Sequence, residues 1–165
     1  MDDFERHLLQ RQRANRATTR EWDKHNDRIG MVGEKAVCER YGAKQDLRDK
    51  RKGDGGIDIE FKIRGVWEEP RWVKFSIRAS MLTRDALVVN CDKLRTDAIY
   101  VYARVTDMWK REGYCVGWVS GLTLFRSRSF APIMGEWAYR WHGFQSMIDL
   151  DRMVCDWRWS DLGVA

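Results

Sequence analysis

Two acidic residues on different predicted elements could hold a divalent metal ion. Glu34 lies on a predicted helix, and Asp58 follows a Gly-Gly pair at the start of a predicted strand. Phosphodiester hydrolysis with Mg²⁺ needs carboxylates that converge from separate elements, because the ion binds several hard oxygens and keeps the water that attacks. Glu34, Asp58 and a facing strand occur in the order that this chemistry requires.

The helix that carries Glu34 is predicted over residues 31–41, where apolar side chains recur at helical spacing. Gly42 follows, and glycine is a common residue at a helix C-terminus. An earlier helix is predicted over residues 3–28, because Gly and Pro are absent from this segment until Gly30. The earlier helix has a short apolar stripe and a basic face.

Two alternating segments predict an antiparallel hairpin. Residues 57–63 place apolar side chains at every odd position, so this side of the strand should face the core. Its other side carries Asp58, Glu60 and Lys62. Residues 72–78 alternate in the same way, and their polar side carries Lys74, Ser76 and Arg78.

The register of this hairpin decides which polar side chains meet. Directly opposed side chains of antiparallel strands lie about 5 Å apart. A loop that turns symmetrically about Glu68 predicts three opposed pairs: Asp58 with Arg78, Glu60 with Ser76, and Lys62 with Lys74.

Further segments rich in β-branched and aromatic residues are predicted to extend the sheet: residues 86–90, 98–105 and 114–120. The tail from Trp137 onward has no clear pattern. The chain is therefore predicted to form one α/β domain over residues 1–165, with a basic N-terminal helix (1–28), a core (29–125) and a Trp-rich C-terminal part (126–165).

The composition favours an anionic partner and gives no sign of a membrane partner. The net charge is +5, so nucleic acid is the first candidate. The longest apolar runs fall far below the roughly 20 residues that a membrane-crossing helix needs. The N-terminal residues lack the apolar region of a secretory signal. We therefore expect a cytoplasmic protein.

The four cysteines are predicted to be reduced thiols. They are widely scattered, and neither a CxxC pair nor a histidine at ligand spacing accompanies them. A structural zinc site is the alternative. The positions concerned are Cys38, Cys91, Cys115 and Cys155.

Two basic segments are candidates for contacts with a nucleic-acid backbone. The first is the N-terminal helix, whose arginines are Arg6, Arg11, Arg13, Arg16 and Arg20. The second is the polar loop after Gly42, which includes Lys50, Arg51 and Lys52. These side chains could bind phosphates, and the alternative is an ordinary solvated surface.

The tryptophans leave two alternatives open. The chain has nine, and six of them lie at or beyond Trp109. They could fill the core, or they could form a stacking surface for bases or for a protein partner.

Several short segments resemble the helix, the first acidic strand and the second acidic strand of the PD-(D/E)XK nucleases. These segments are Gly33-Glu34, Tyr41-Gly42, Gly55-Gly56-Ile57-Asp58 and Phe75-Ser76-Ile77-Arg78-Ala79-Ser80. Ala98-Ile-Tyr-Val and Gly117-Trp-Val-Ser resemble the later core strands of the same proteins. The resemblance covers about 90 residues and is strongest to restriction-endonuclease-like, Mrr-like, Holliday-junction-resolvase-like and small phage-encoded members.

This resemblance implies a restriction-endonuclease-like mixed central sheet flanked by helices, and a Mg²⁺- or Mn²⁺-dependent DNA endonuclease. Glu34 corresponds to the helix-borne acid and Asp58 to the metal-binding aspartate. Ser76 and Arg78 stand where the family has Asp, Glu or Gln and then Lys. Serine brings no charge, and arginine stays protonated and cannot act as a base.

Neighbouring residues could replace the missing acid and the missing lysine of this motif. Glu60 could lean toward Ser76 as a third metal ligand, and Lys62 or Lys74 could replace the missing lysine. In a second register, Glu60-Phe61-Lys62 is itself the acidic motif, and Asp46 or Asp54 provides the earlier acid.

Two further functions stay open at this point. The first is a catalytically inactive pseudo-nuclease, consistent with a phage-encoded inhibitor or adaptor in the host cytoplasm, that binds DNA or a host protein. The second is a protein-interaction domain that uses the Trp-rich C-terminal half, since aromatic residues are typical interface anchors. A homodimer is compatible with each of these functions.

Overall fold

The computed structural model describes residues 2–14, 21–43, 58–63, 71–82, 86–127, 130–133 and 136–158. The helices are α1 (Asp3–Ala14), α2 (Glu21–Tyr41), α3 (Gly121–Ser127) and α4 (Met147–Arg158), with a short 3-10 helix at Cys91–Lys93. The strands are β1 (Ile59–Ile63), β2 (Arg71–Ser80), β3 (Leu87–Asn90), β4 (Ala98–Asp107), β5 (Glu112–Ser120), β6 (Phe130–Ile133) and β7 (Glu136–Trp141).

A mixed four-stranded sheet in the order β1-β2-β4-β5 forms the centre of this α/β fold. β1 and β2 pair antiparallel, as predicted for the hairpin, and β4 and β5 also pair antiparallel. β2 and β4 are parallel, so the chain crosses over between them through β3 and the 3-10 helix.

A second sheet, in the order β3-β7-β6, is antiparallel. The prediction that residues 86–90 extend the central sheet is therefore wrong, because β3 pairs with β7. The central sheet does gain β4 and β5, so the predictions for residues 98–105 and 114–120 are confirmed.

The predicted boundary between the first two helices is also wrong. α2 begins at Glu21 and runs through Gly30 without a break. At Gly33, α2 approaches β2 so closely that a Cβ atom would lie 2.4 Å from the Cβ of Ala79. This contact explains why the helix contains a glycine here. Gly33 thus serves packing, and neither Gly30 nor Gly33 marks a helix end.

The predicted end of α2 at Gly42 is confirmed. Gly42 has a φ of 61°, and the amide of Ala43 donates to the carbonyl of Cys38 at 2.9 Å. The amide of Gly42 donates to the carbonyl of Glu39. This pair of hydrogen bonds is a Schellman motif, which satisfies carbonyls that the helix leaves without partners.

The central sheet is buried on both faces. On one face, Phe75 and Val101 pack against Val37 of α2 and Leu150 of α4. On the other face, the core cluster consists of Leu87, Val89, Ala98, Tyr100, Tyr102, Val119 and Leu124. The side of β2 predicted to be polar is therefore partly covered, and Ser76 is fully buried.

α1 packs on the rest of the domain through a small third cluster. Phe4 and Leu8 lie against Met31, Val32 and Val105. The two nitrogens Nη1 and Nη2 of Arg28 each donate to a carboxylate oxygen of Glu5 at 2.8 Å, which fixes α1 against α2.

The described tryptophans of the C-terminal half differ from one another. Trp118 is buried, and its indole N–H donates to the carbonyl of Ser146 at 3.0 Å. Trp109 is 63% exposed. The tryptophans therefore do not form a single class: the core alternative holds for Trp118, whereas Trp109 lies on the surface.

Cys38, Cys91 and Cys115 are free thiols. Among the helices of the described ranges, none is both long and apolar enough to cross a membrane.

Candidate functional site

Asp58 lies directly before β1 and bonds to β2 through both its backbone and its side chain. Its amide donates to the carbonyl of Phe75 at 2.9 Å, and its carboxylate oxygen Oδ2 accepts the amide hydrogen of Ile77 at 2.5 Å. The Asp58 side chain thus accepts a hydrogen bond from the backbone of β2. Its carboxylate is held at the sheet edge and is only 13% exposed.

The observed register differs from the one predicted by a symmetric loop. Ile59 lies opposite Phe75, and Glu60 lies opposite Lys74. Compared with the prediction, β2 is shifted by two residues, so Glu60 does not oppose Ser76. Because the shift is an even number of residues, each side chain keeps its predicted face of the sheet.

Arg78 still reaches Asp58, although the two residues are not directly opposed. Its Nη1 lies 3.8 Å from Oδ2 of Asp58 and donates to the carbonyl of Ile77 at 3.0 Å. The guanidinium carbon also lies 5.8 Å from the centre of the Tyr100 ring. Arg78 therefore places a permanent positive charge beside the acid.

Glu34 is held by Arg11 of α1. The Nη1 of Arg11 donates to Oε1 of Glu34 at 2.9 Å, and its Nε lies 3.6 Å from Oδ1 of Asp27. Burial alone would lower the pKa of Arg11, but the charges of Glu34, Asp27 and Asp58 outweigh this effect and raise the pKa. Arg11 thus contacts Glu34 and Asp27, and the charge of Asp58 also acts on it.

Cys38 also lies near the same acids. Burial, followed by the charges of Glu34, Glu39 and Asp58, raises the pKa of the Cys38 thiol to about 12. The charges of Glu34 and Asp58, which were predicted from separate elements, therefore both act on the pKa values of Arg11 and Cys38. We call Arg11, Asp27, Glu34, Asp58 and Arg78 the acid–arginine cluster.

Glu60 and Lys74 belong to a different polar group on the same hairpin. Glu60 is exposed, and the Lys74 Nζ opposite it donates to Oδ2 of Asp97 at 2.8 Å. Hydrogen bonds from Arg95 and then from Lys74 hold the pKa of Asp97 well below its ordinary value. The side chain of Lys62 lies outside the described part of the structure.

Ser76 shares a face of the sheet with Tyr100, its partner in β4. It is fully buried, and its hydroxyl has no hydrogen-bond partner among the residues that the structure describes. An ionised carboxylate at this position would lose its hydration without a matching partner. The surroundings thus explain why an uncharged residue occupies the position.

The residues present do not fit a metal site with three carboxylates. Within the described segments, no group of three or more His, Cys, Asp or Glu side chains could hold a metal ion. Glu60, the proposed third ligand, lies on β1 opposite Lys74 of β2. Arginine side chains supply the positive charge next to both acids.

Most of the predicted backbone-binding residues fall outside the described residues. Arg13 lies on α1, but its side chain is not among those described. The others outside the described ranges are Arg16, Arg20, Lys50, Arg51 and Lys52, together with the alternative acids Asp46 and Asp54.

The sequence reasoning missed the roles of Arg11 and Asp27. Arg11 was grouped with the basic face of a helix, and nothing local in the sequence links it to Glu34. Asp27 could have been found, because it precedes Glu34 by seven residues, a spacing that places both on one face of a continuous helix. The assumed helix end near Gly30 hid this relation.

Comparisons with known proteins add no assignment: no family model, no curated protein and no solved structure matches the chain.

Proposed function

We propose that this protein is a nucleic-acid-binding domain related to the PD-(D/E)XK nucleases that binds DNA without cutting it. The observation that carries the proposal is that arginines neighbour both expected metal-binding acids. Arg11 lies 2.9 Å from Glu34, and Arg78 lies 3.8 Å from Asp58. A guanidinium beside each carboxylate provides the charge balance that a metal ion supplies in an active nuclease.

The two departures from the family motif support the same proposal. Ser76 offers neither charge nor space for a hydrated ion, since it is fully buried. Arg78 cannot accept a proton from water at any working pH. Loss of both groups removes a metal ligand and the group that would activate water.

The proposed ligand follows from charge. The chain carries a net charge of +5, and the basic run Lys50–Lys52 precedes Asp58 by six to eight positions. A phosphate backbone is the anionic polymer that such a run binds, and its binding should weaken steeply as salt is added.

A second candidate is a Mg²⁺- or Mn²⁺-dependent DNA endonuclease. It is favoured by the two acids Glu34 and Asp27, which both lie within 4 Å of Arg11. In an enzyme of this class, the metal ion would polarise the phosphate and activate water. Glu34 and Asp58 are the residues of this chain on which such an activity would depend.

One experiment separates the two candidates. The protein is incubated with supercoiled and branched DNA, with and without Mg²⁺ or Mn²⁺, beside the variants Glu34→Gln and Asp58→Asn. Asp149→Asn, which removes an exposed acid from α4, is the matched control. We expect binding without metal and no cutting by any of the proteins.

Metal-dependent cutting that is lost in Glu34→Gln and Asp58→Asn, but kept in Asp149→Asn, would overturn the proposal and establish the endonuclease. Absence of DNA binding at low salt would overturn both candidates and leave the protein-interaction alternative. Circular dichroism of each variant checks that a lost activity does not reflect a lost fold.

A further inference from the structure

Ion pairs of opposite polarity tie the two ends of α1 to the rest of the domain. Near the start of α1, Glu5 accepts hydrogen bonds from Nη1 and Nη2 of Arg28, both at 2.8 Å. Its Oε1 also lies 3.1 Å from Nη2 of Arg111. Toward the other end, Nη1 of Arg11 donates to Oε1 of Glu34 at 2.9 Å. α1 thus presents an acid at one end and a cation at the other, and each has a partner of opposite charge.

Apolar packing holds α1 through a small contact. Of the α1 side chains that the structure describes, Phe4 and Leu8 are buried. They lie against Met31, Val32 and Val105, in a cluster separate from the two that cover the central sheet. The large cluster between α2, α4 and this sheet includes no described residue of α1. Departure of α1 would therefore leave this main core closed.

Water and dissolved ions reach the charged contacts of α1. The side chains of Glu5 and Arg11 are 31% and 43% exposed. Salt screens such pairs, because the screening length falls from about 10 Å at 0.1 M to about 3 Å at 1 M. Burial of apolar groups does not depend on this screening, since it involves no charge. Added salt should therefore weaken the attachment of α1 more than it weakens the core of the domain.

From these features we infer that α1 is a strap that opens in response to ionic strength. At high ionic strength both ends of α1 are released together, while α2 and the central sheet stay folded. Opening separates Arg11 from Glu34 and Asp27, so the three acids of the acid–arginine cluster keep one arginine and lose the other. The strap thus links the salt around the domain to the charge of the candidate site, and it does not depend on DNA binding.

The length of α1 makes this opening measurable. α1 has 12 residues, and an isolated helix of this length is marginal in water. Once released, α1 should therefore lose its backbone hydrogen bonds as well as its contacts with α2. Amide hydrogens that were protected in the docked helix then exchange with solvent through this local opening.

The test is amide hydrogen exchange of the full chain, followed by mass spectrometry at about 0.05 M and about 1 M sodium chloride. Wild type is compared with Glu5→Gln and Arg11→Gln, which each break one end of the strap. Asp3→Asn is the matched control, because it removes an acid from the same helix turn as Glu5 but one that pairs with Arg6 inside α1. The amides of β4 report on the rest of the domain.

In wild type, we expect the α1 amides to exchange about tenfold faster at high salt than at low salt, and the β4 amides to keep their rate. Loss of one exposed pair changes an equilibrium by up to about fivefold, and Glu5 pairs with two arginines. At low salt, Glu5→Gln should therefore accelerate exchange by about tenfold along the whole helix, including residues 10–14. Arg11→Gln should likewise accelerate the start of α1, and Asp3→Asn should change the rates by less than about twofold.

Equal exchange rates of the wild-type α1 amides at the two salt concentrations would overturn the strap. Equal acceleration of α1 and β4 at high salt would also overturn it, because the whole domain would then be opening. If Glu5→Gln accelerates exchange only in the first turn, the helix end frays and the strap is again overturned. These outcomes leave the proposed function untouched, since none of them measures DNA binding.

Discussion

The β1–β2 hairpin carries two groups of paired charges that differ in burial. In the first group, Asp58 is 13% exposed and lies between Arg78 and the amide of Ile77. In the second group, Asp97 is 51% exposed and accepts hydrogen bonds from Lys74 and Arg95. The bonds are similar in kind, but only the first group is shielded from water.

This difference identifies the group whose charges have large energetic consequences. An exposed ion pair contributes about 0 to 1 kcal/mol, because water and salt screen it. Removal of one partner from a shielded group leaves a charge that has lost both its hydration and its partner. The acid–arginine cluster should therefore respond strongly to substitutions, and the Lys74–Asp97 group weakly.

The largest expected effect is at Ser76, beside the shielded group. Ser76→Asp restores an acid of the nuclease motif but buries a carboxylate, which should lower the free energy of unfolding by about 3 kcal/mol or more. Ser76→Ala should change it by less than about 1 kcal/mol. Urea denaturation measures both, and a Ser76→Asp variant as stable as wild type would show that this position is open to water.

A smaller effect is expected at Gly33, where α2 approaches β2 and shields the cluster. Gly33→Ala places a Cβ 2.4 Å from that of Ala79 and should cost about 1 to 3 kcal/mol. Gly30→Ala is the control, because its new Cβ would lie 4.0 Å from the nearest side-chain atom, Nη2 of Arg11. This substitution should stabilise the helix by up to about 1 kcal/mol. Thermal unfolding that ranks the two variants in the opposite order would contradict the close approach.

Arg11 tests the cluster directly. Arg11→Gln leaves Glu34 and Asp27 without their guanidinium and should cost about 1 to 2 kcal/mol. Arg6→Gln removes an exposed arginine of the same helix that pairs with Asp3, and it should cost at most about 0.5 kcal/mol. If chemical denaturation shows that Arg11→Gln and Arg6→Gln lower the free energy of unfolding equally, Arg11 is an ordinary surface residue.

The smallest effect is expected at Asp97. Asp97→Asn should change stability by about 0 to 1 kcal/mol at neutral pH. Hydrogen bonds from Arg95 and Lys74 lower the pKa of Asp97 in the folded state. The contribution of Asp97 to the free energy of unfolding is therefore fully present above the ordinary aspartate pKa of about 3.9, and it is lost as the pH falls through the folded-state pKa. The melting temperatures of variant and wild type should therefore converge in acid. A difference in melting temperature that grows as the pH falls would contradict this predicted pH dependence.

Local patterns in the sequence were sufficient for some elements of the fold. Alternation in residues 57–63 and 72–78 predicted the hairpin, and Gly42 predicted the end of α2, because both signals depend only on neighbouring residues. The register could not be predicted, since the symmetric turn about Glu68 was an assumption about the loop. The burial of Ser76 was missed because the core cluster on that face depends on β3, which belongs to another sheet.

The candidate site was predictable only in part. Glu34 and Asp58 were found because their residue types and their predicted elements suit metal chemistry. Arg11 could not be found, since it reaches Glu34 through the packing of α1 on α2, and this packing depends on residues far apart in the chain.

The pairing of β3 with β7 has a consequence for the order of folding during synthesis. β3 ends at residue 90, but its partner β7 is made only at residues 136–141, and α4 follows later still. Contacts between segments so far apart in the chain form late, because a long loop must close first. On the ribosome, the face of β4 that bears Tyr100 and Tyr102 should stay open until residues 136–141 have emerged.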